Sequence, residues 1–69
     1  MTSMVMRIRD LREESNLTQQ QLADSMGIMR SAVANWEAEI SLPRARQLPD
    51  LARVLGCSIN ELFYEYHTA

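Results

Sequence analysis

Three polar side chains that can make directional hydrogen bonds fall close together in one short helical segment. Arg30, Ser31 and Asn35 offer a guanidinium fork, a hydroxyl group and an amide with both a donor and an acceptor. At about 100° per residue, Ser31 and Asn35 share the polar face of a helix and Arg30 lies on its flank. Taken alone they could be an ordinary solvated surface. Their role depends on the elements that position them.

Residues for catalysis or metal binding are missing from the sequence. The 69 residues show no nucleophile beside a base, no metal-ligand spacing and no glycine-rich phosphate loop. Cys57 is the single cysteine, which rules out an intrachain disulfide and a cysteine-based metal cluster and suggests a small core residue. We therefore expect no enzymatic activity, no metal, no cofactor and no small-molecule ligand.

Length and charge bound the remaining possibilities. A chain of 69 residues indicates one domain, residues 1–69. Because its core is small, the domain needs close helix packing or a second copy of itself to stay folded. The net charge of −2 argues mildly against nucleic acid, although a locally basic face remains possible. The sequence lacks a stretch for a membrane span and a secretory signal, so we expect a cytoplasmic protein without a membrane partner.

Hydrophobic periodicity and capping signals predict five helices and no strand. Thr18 and Gln21 form a capping box for the second helix, which should end at Gly27, while Pro49 suits the first turn of the fourth. A second capping box, Ser58 with Glu61, predicts the start of the fifth. The predicted helices are Met4–Glu14, 18–27, Met29–Ala38, Leu48–Leu55 and a final helix from Ser58.

The second and third helices are joined by a very short turn, so they must cross steeply. Such a crossing requires a small residue under the third helix, where Ala23 stands, and a turn residue, Gly27. It also requires apolar residues that tie both helices to the rest of the bundle. These are Leu22, Met26, Ile28, Val33 and Trp36.

The stretches "LTQQQLADSMGIMRSAVANWE" and "LPDLARVLGCSINELF" resemble the Cro/repressor family of helix-turn-helix DNA-binding domains. The resemblance covers about residues 6–63, with the helix-turn-helix at 18–38. It implies an all-α fold: a compact five-helix bundle like the DNA-binding domain of phage repressors. It also implies that the third helix lies in the major groove of double-stranded DNA while the second crosses the backbone.

Family positions for reading bases and holding phosphates can be carried over one by one. Arg30 would fork onto guanine, Asn35 would pair with adenine, and Ser31 and Ala34 would contact base edges. The DNA backbone would be held by a residue at the start of the second helix and by two arginines of the loop after the third helix. These phosphate candidates are Gln19, Arg44 and Arg46.

Glu37 falls near the apolar side of the third helix and needs a partner there. The family suggests Arg12, which gives a structural ion pair. Three positions depart from the family. Glu39 and Ile40 stand where a glycine and a basic residue are common, and Met29 replaces the usual polar cap of the third helix.

The resemblance implies a sequence-specific transcriptional regulator, and we expect a repressor that binds an inverted repeat as a homodimer. The aromatic residues near the end exceed what a small core absorbs, so they either form the dimer interface or pack on the first helix. They are Phe63, Tyr64 and Tyr66. The alternative function is a protein-interaction module on the same fold, such as an antitoxin or antirepressor-like partner, which Glu39, Ile40 and the acidic charge favour.

Overall fold

The structure, a computed structural model, describes the backbone of residues 2–67 and the side chains of residues 6–63. Over that part of the chain, four α-helices are joined by loops and single 3-10 turns, and two short strands flank them. In chain order the elements are β1 (Thr2–Met6), α1 (Ile8–Glu14), α2 (Gln19–Met26), α3 (Arg30–Glu37), a 3-10 turn (Ala45–Gln47), α4 (Leu48–Leu55), a second 3-10 turn (Asn60–Leu62) and β2 (Phe63–His67).

Helices α2 and α4 begin and end where the local signals predict. The hydroxyl of Thr18 accepts a hydrogen bond from the amide of Gln21, and the Gln21 side chain accepts one from the amide of Thr18. Both helices end at glycines in the left-handed region, Gly27 and Gly56, each with φ of 69°. That conformation is cheap for glycine, so the chain turns sharply at each point.

The helices enclose one apolar core, as the spacing predicts. Its members come from every helix and from the turn before β2, and all of them are apolar. The buried residues are Ile8, Leu22, Ala23, Val33, Trp36, Leu51, Ala52, Leu55 and Leu62. Met26 and Ile28 pack partly buried against them. The all-helical body with a helix-turn-helix is therefore confirmed.

The prediction of a fifth helix is wrong. Ser58 and Glu61 do form the reciprocal hydrogen bonds of a capping box, at 3.0 and 3.2 Å between donor and acceptor. A capping box satisfies only the first turn, however, and the helix stops after Asn60–Leu62 as the backbone at Phe63 becomes extended, with ψ of 144°. The segment that follows is rich in aromatic residues, which favour strands.

The first helix is also shorter than predicted, because residues 2–6 form a strand instead of a helical turn. Strands β1 and β2 pair as a two-stranded antiparallel ribbon, with Thr2 opposite His67 and Met6 opposite Phe63. A further backbone bond, from the amide of Arg7 to the carbonyl of Leu62 at 2.7 Å, connects the ribbon to the helical body. Backbone groups on the facing edges of these two segments thus pair with each other, although the segments are far apart in sequence.

Candidate nucleic-acid interface

The turn between α2 and α3 fixes how the two helices cross. Gly27 adopts a positive φ, and its amide and that of Ile28 donate hydrogen bonds to the carbonyls of Asp24 and Ala23. A Cβ at Gly27 would meet no atom within 4 Å, so the backbone conformation, and not space, requires glycine there. Ala23 is fully buried, as expected for a small residue where α3 crosses α2.

Helix α3 presents the sequence-predicted base readers to solvent. Arg30, Ser31 and Asn35 are exposed, and Ala34 is half-buried. The opposite side of the helix inserts Val33 and Trp36 into the core. Anchored by this pair, α3 exposes a narrow polar edge with a small residue, Ala34, beside it.

A hydrogen-bonded chain of side chains connects this edge to α1 and α2. Arg30 Nη1 donates to Oε1 of Gln19 at 3.2 Å. Gln19 Nε2 in turn donates to Oε1 of Glu37 at 3.0 Å. The amide of Gln19 therefore lies between a guanidinium and a carboxylate, with each of its two polar atoms oriented by one of them.

Glu37 is the centre of this chain of contacts, and its side chain is 0% exposed. Arg12 donates to both of its oxygens, from Nε to Oε2 at 2.6 Å and from Nη2 to Oε1 at 3.1 Å. Arg9 adds a longer contact, 3.3 Å from Nε to Oε1, from a side chain that is 60% exposed. The Arg12–Glu37 pair that the family suggested is thus present as a bidentate contact.

The hydrogen bonds keep Glu37 charged in spite of its burial. Burial alone raises the pKa of its carboxyl, but the donors from Arg12, Gln19 and Arg9 outweigh burial and hold the pKa below its ordinary value. The same hydrogen bond raises the pKa of the Arg12 guanidinium. Arg12 Nη1 also donates to the carbonyl of Leu17 at 2.8 Å, which connects α1 to the start of α2.

Arg44 and Arg46 lie apart from this network. Both are exposed in the segment that leads into α4, and the amide of Arg44 donates to the side chain of Gln47 at 2.8 Å. Within the part of the chain whose side chains are described, neither arginine forms an ion pair. Their guanidinium groups remain available to an external anion.

The three aromatic residues proposed for a dimer interface are distributed differently. Phe63 is half-buried and packs against the helical core. The side chains of Tyr64 and Tyr66 lie outside the described residues. Cys57 is also partly buried against the core, and burial together with the charge of Glu61 raises the pKa of its thiol. A raised thiol pKa favours the unreactive protonated form.

Sequence reasoning missed two parts of the network. It paired Glu37 with Arg12 alone, although Arg9 and Arg12 are three residues apart and therefore share a helix face toward Glu37. It also assigned Gln19 to phosphate without finding its bonds to Arg30 and Glu37. The first could have been found from helical spacing, whereas the second depends on the crossing of α2 and α3, which spacing does not give.

The described residues contain no group of three or more acidic, cysteine or histidine side chains that could hold a metal ion. None of the helices combines the length and the hydropathy needed to cross a bilayer.

Comparison with known proteins identifies the arrangement. The helix-turn-helix family model matches residues 8–62. The HTH-type transcriptional activator BcrR of Enterococcus faecalis is 32% identical over 56 residues, and the HTH-type transcriptional regulator YobD of Bacillus subtilis is 39% identical over 54. These matches cover 81% and 78% of this chain but only 28% and 48% of the two relatives, so the chain spans less than half of either.

Solved structures agree with the fold. A protein from Bacteroides fragilis superimposes with a TM-score of 0.83 at 26% identity, and the match covers 90% of this chain and all of the other. The P22 c2 repressor, solved in complex with a synthetic operator, superimposes with a TM-score of 0.76 at 30% identity. That match covers 81% of this chain and 85% of the repressor chain.

Proposed function

Because the chain belongs to the Cro/repressor-type helix-turn-helix family, a family of transcriptional regulators and not of enzymes, we propose that it binds double-stranded DNA sequence-specifically through α3. The single observation that carries the proposal is the exposed edge of Arg30, Ser31 and Asn35 on a helix anchored by Val33 and Trp36. The major groove of B-DNA admits an α-helix, so side chains on such an exposed edge can reach the bases.

Each side chain of the edge has a role that its chemistry supports. Asn35 presents a donor and an acceptor to adenine, and Arg30 presents a fork to guanine. Ser31 and Ala34 are short enough to let the helix approach the base edges closely. Ser31 adds a hydroxyl for either base type, and Ala34 adds a methyl group for contact with thymine.

Phosphate contacts would hold the helix in register. The exposed guanidinium groups of Arg44 and Arg46 are suited to phosphate oxygens, and Gln19 lies at the first turn of α2, where backbone amides favour an anion. A protein with a net charge of −2 depends on such local cations to approach DNA at all. Binding should therefore weaken steeply as salt rises.

We further propose a homodimer that represses transcription from an inverted repeat with half-sites about 34 Å apart. The likeness to a repressor solved with its operator supports repression. DNA as the partner agrees with the cytoplasmic location expected from the sequence.

The test is a fluorescence-polarisation titration on duplexes selected from a random pool, repeated over a salt series. Asn35→Ala should weaken the free energy of binding by about 1–3 kcal/mol on the selected duplex and change it little on random DNA, because the substitution removes a base contact. Arg44→Ala should weaken both duplexes alike, while Arg53→Ala, an exposed arginine of α4 paired with Asp50, serves as the matched control. Equal losses of Asn35→Ala on both duplexes would contradict the assignment.

A second function, a protein-interaction module, is favoured by one specific observation. Ile40 and Leu42 are 73% and 71% exposed in the loop after α3, and Glu39 adds a negative charge beside them. Exposed apolar residues of this kind suit a protein partner better than a phosphate backbone. Absence of binding to any selected duplex at low salt, together with a partner recovered by this loop and lost in Ile40→Ser, would favour the module.

A further inference from the structure

We propose that two copies of the chain associate through β1, which pairs antiparallel with β1 of a second copy around a two-fold axis at Met4. The result is a four-stranded sheet that continues from one molecule into the other. This inference gives a mechanism to the dimer of the proposed function and rests on that dimer, but not on DNA binding. It also moves the interface away from the aromatic residues of β2.

The ribbon provides two open edges. Its sheet contains only β1 and β2, so in the described chain each strand is paired on one side alone. A two-stranded ribbon is marginally stable in water, and an open edge presents backbone donors and acceptors to any strand of matching register. A second copy supplies such a strand automatically, and two-fold pairing uses the same edge twice.

The direction of the outward backbone groups follows from the register. The amide of Arg7 donates to the carbonyl of Leu62, and these two residues are the next pair after Met6 and Phe63. In antiparallel pairing, hydrogen-bonded pairs alternate with non-hydrogen-bonded pairs, whose amides and carbonyls point away from the partner strand. The outward groups therefore belong to Thr2, Met4 and Met6 on β1, and to Phe63, Glu65 and His67 on β2.

Strand β1 is self-complementary in this register. When two copies of a five-residue strand overlap fully and antiparallel, the two-fold axis passes through the central residue, which is Met4. Met4 then lies opposite its own copy, and Thr2 lies opposite Met6. All three residues with outward groups meet residues whose groups also point outward, so each of them can form a hydrogen-bonded pair.

Charge decides between the two edges. The sequence of β1, "TSMVM", carries no charged residue. Full overlap of β2, "FYEYH", would put Glu65 opposite a second Glu65, and like charges directly opposite destabilise strand pairing. A shift of β2 that avoids this clash leaves one third of its outward pairs unformed. The edge of β1 is therefore the favoured one.

The register makes the test symmetric, because Met4 and Glu65 lie opposite each other in the ribbon. Proline removes one outward amide at either position and is tolerated on an edge strand. Met4→Pro should raise the dimer dissociation constant about 30-fold or more, since the two-fold axis removes the same hydrogen bond twice. Glu65→Pro should leave it unchanged. Sedimentation equilibrium measures both, and circular dichroism checks that the helices remain.

A covalent readout covers the case in which either proline disturbs the ribbon. In a Cys57→Ala background, Met4→Cys should form an interchain disulfide on oxidation, because hydrogen-bonded partners have Cα atoms about 5.5 Å apart, within disulfide range. Each thiol loses one electron and one proton to the added oxidant, glutathione disulfide, which is reduced to two glutathiones. Glu65→Cys, on the other edge, should stay uncrosslinked.

The outcomes separate the possibilities. A dimer lost in Met4→Pro and captured in Met4→Cys supports pairing through β1. Loss of the dimer in Glu65→Pro with capture in Glu65→Cys would assign the interface to β2 and overturn the proposal, as would a dimer that survives both prolines or a wild-type chain that stays monomeric. A monomeric Met4→Pro chain that still binds one half-site at low salt shows that dimerisation has failed and DNA binding has not.

Discussion

The guanidinium of Arg30 is hydrogen-bonded to the side-chain oxygen of Gln19, with 3.2 Å between Nη1 and Oε1. The other end of the same amide donates to the buried carboxylate of Glu37. An amide has one donor end and one acceptor end, so Glu37 orients Gln19 and Gln19 then offers its oxygen to Arg30. The position of an exposed side chain on α3 is thereby connected to a buried charge.

This contact predicts energetic coupling between Gln19 and Arg30 in DNA binding. Gln19→Ala should reduce DNA affinity partly because it releases Arg30. The double variant with Arg30→Ala should therefore lose about 1 kcal/mol less binding free energy than the sum of the losses in the two single variants. Fluorescence polarisation on a selected duplex measures the cycle. Gln20→Ala, an exposed glutamine of the same helix that bonds Asp24, is the control. Strict additivity would mean that Gln19 acts independently of Arg30.

The two arginines that reach Glu37 should differ widely in their effect on stability. Arg12 is 13% exposed and bidentate, so Arg12→Ala leaves a buried carboxylate short of its main partner and should cost about 3–5 kcal/mol. Arg9 is mostly exposed, and Arg9→Ala should cost at most about 1 kcal/mol. Urea unfolding followed by circular dichroism compares them. Equal losses would show that burial does not set the strength of these contacts.

The lowered pKa of Glu37 predicts a specific pH dependence. A folded-state pKa below the ordinary value of 4.5 means that the charged carboxylate stabilises the fold above that pH, and that this stabilisation is lost as pH falls through the folded pKa. The difference in the free energy of unfolding between the wild type and Glu37→Gln should therefore be largest near pH 7 and decrease below about pH 4.5. Urea titrations across this range measure it, and a constant difference would refute the shift.

Glu39 is a source of removable backbone strain. It occupies the left-handed region with φ of 61° directly after the cap of α3, a position where glycine avoids the Cβ clash. Glu39→Gly should raise the free energy of unfolding by about 1 kcal/mol. Glu39→Ala removes the charge but keeps the strain, so it should not stabilise. Thermal unfolding of the three chains separates strain from charge.

Met29 leaves the start of α3 without a side-chain cap. Its backbone is already extended as a cap requires, with ψ of 146°, but no side-chain hydrogen bond forms. Met29→Ser supplies an acceptor for the free amides of the first turn and should add about 1 kcal/mol of stability. Met29→Ala supplies none and serves as the reference. If serine and alanine behave alike in urea unfolding, the helix start is not limited by its cap.

Local sequence signals predicted the helical body well because each of them depends only on contacts between residues that are close in sequence. The capping box at Thr18, the turn at Gly27 and the first-turn proline at Pro49 involve contacts over a few residues, and all three are present. The two ends of the chain were predicted wrongly for the opposite reason. Ser58 and Glu61 signal a helix start, but the strand after them is stabilised by residues about 60 positions away, which no local pattern records.

The exposure of the polar edge on α3 was predicted from the sequence, but the hydrogen bonds that connect it to α1 and α2 were not. Helical spacing separates Val33 and Trp36 from Ser31 and Asn35, so exposure of the polar edge follows from sequence. The links between Arg30, Gln19 and Glu37 depend on the angle at which two helices cross. That angle is set by side-chain packing at Ala23 and by the turn, and periodicity alone does not give it.

The ribbon also has a consequence for biosynthesis. Its two strands are separated in sequence by the whole helical body, so β1 leaves the ribosome well before β2 is synthesised. Bringing such distant segments together is slow unless the intervening chain has already folded and placed Arg7 beside Leu62. We therefore expect the ribbon to form only after the helical body has folded. A chain still being synthesised would then have no complete ribbon that could pair with a neighbouring chain on the same polysome.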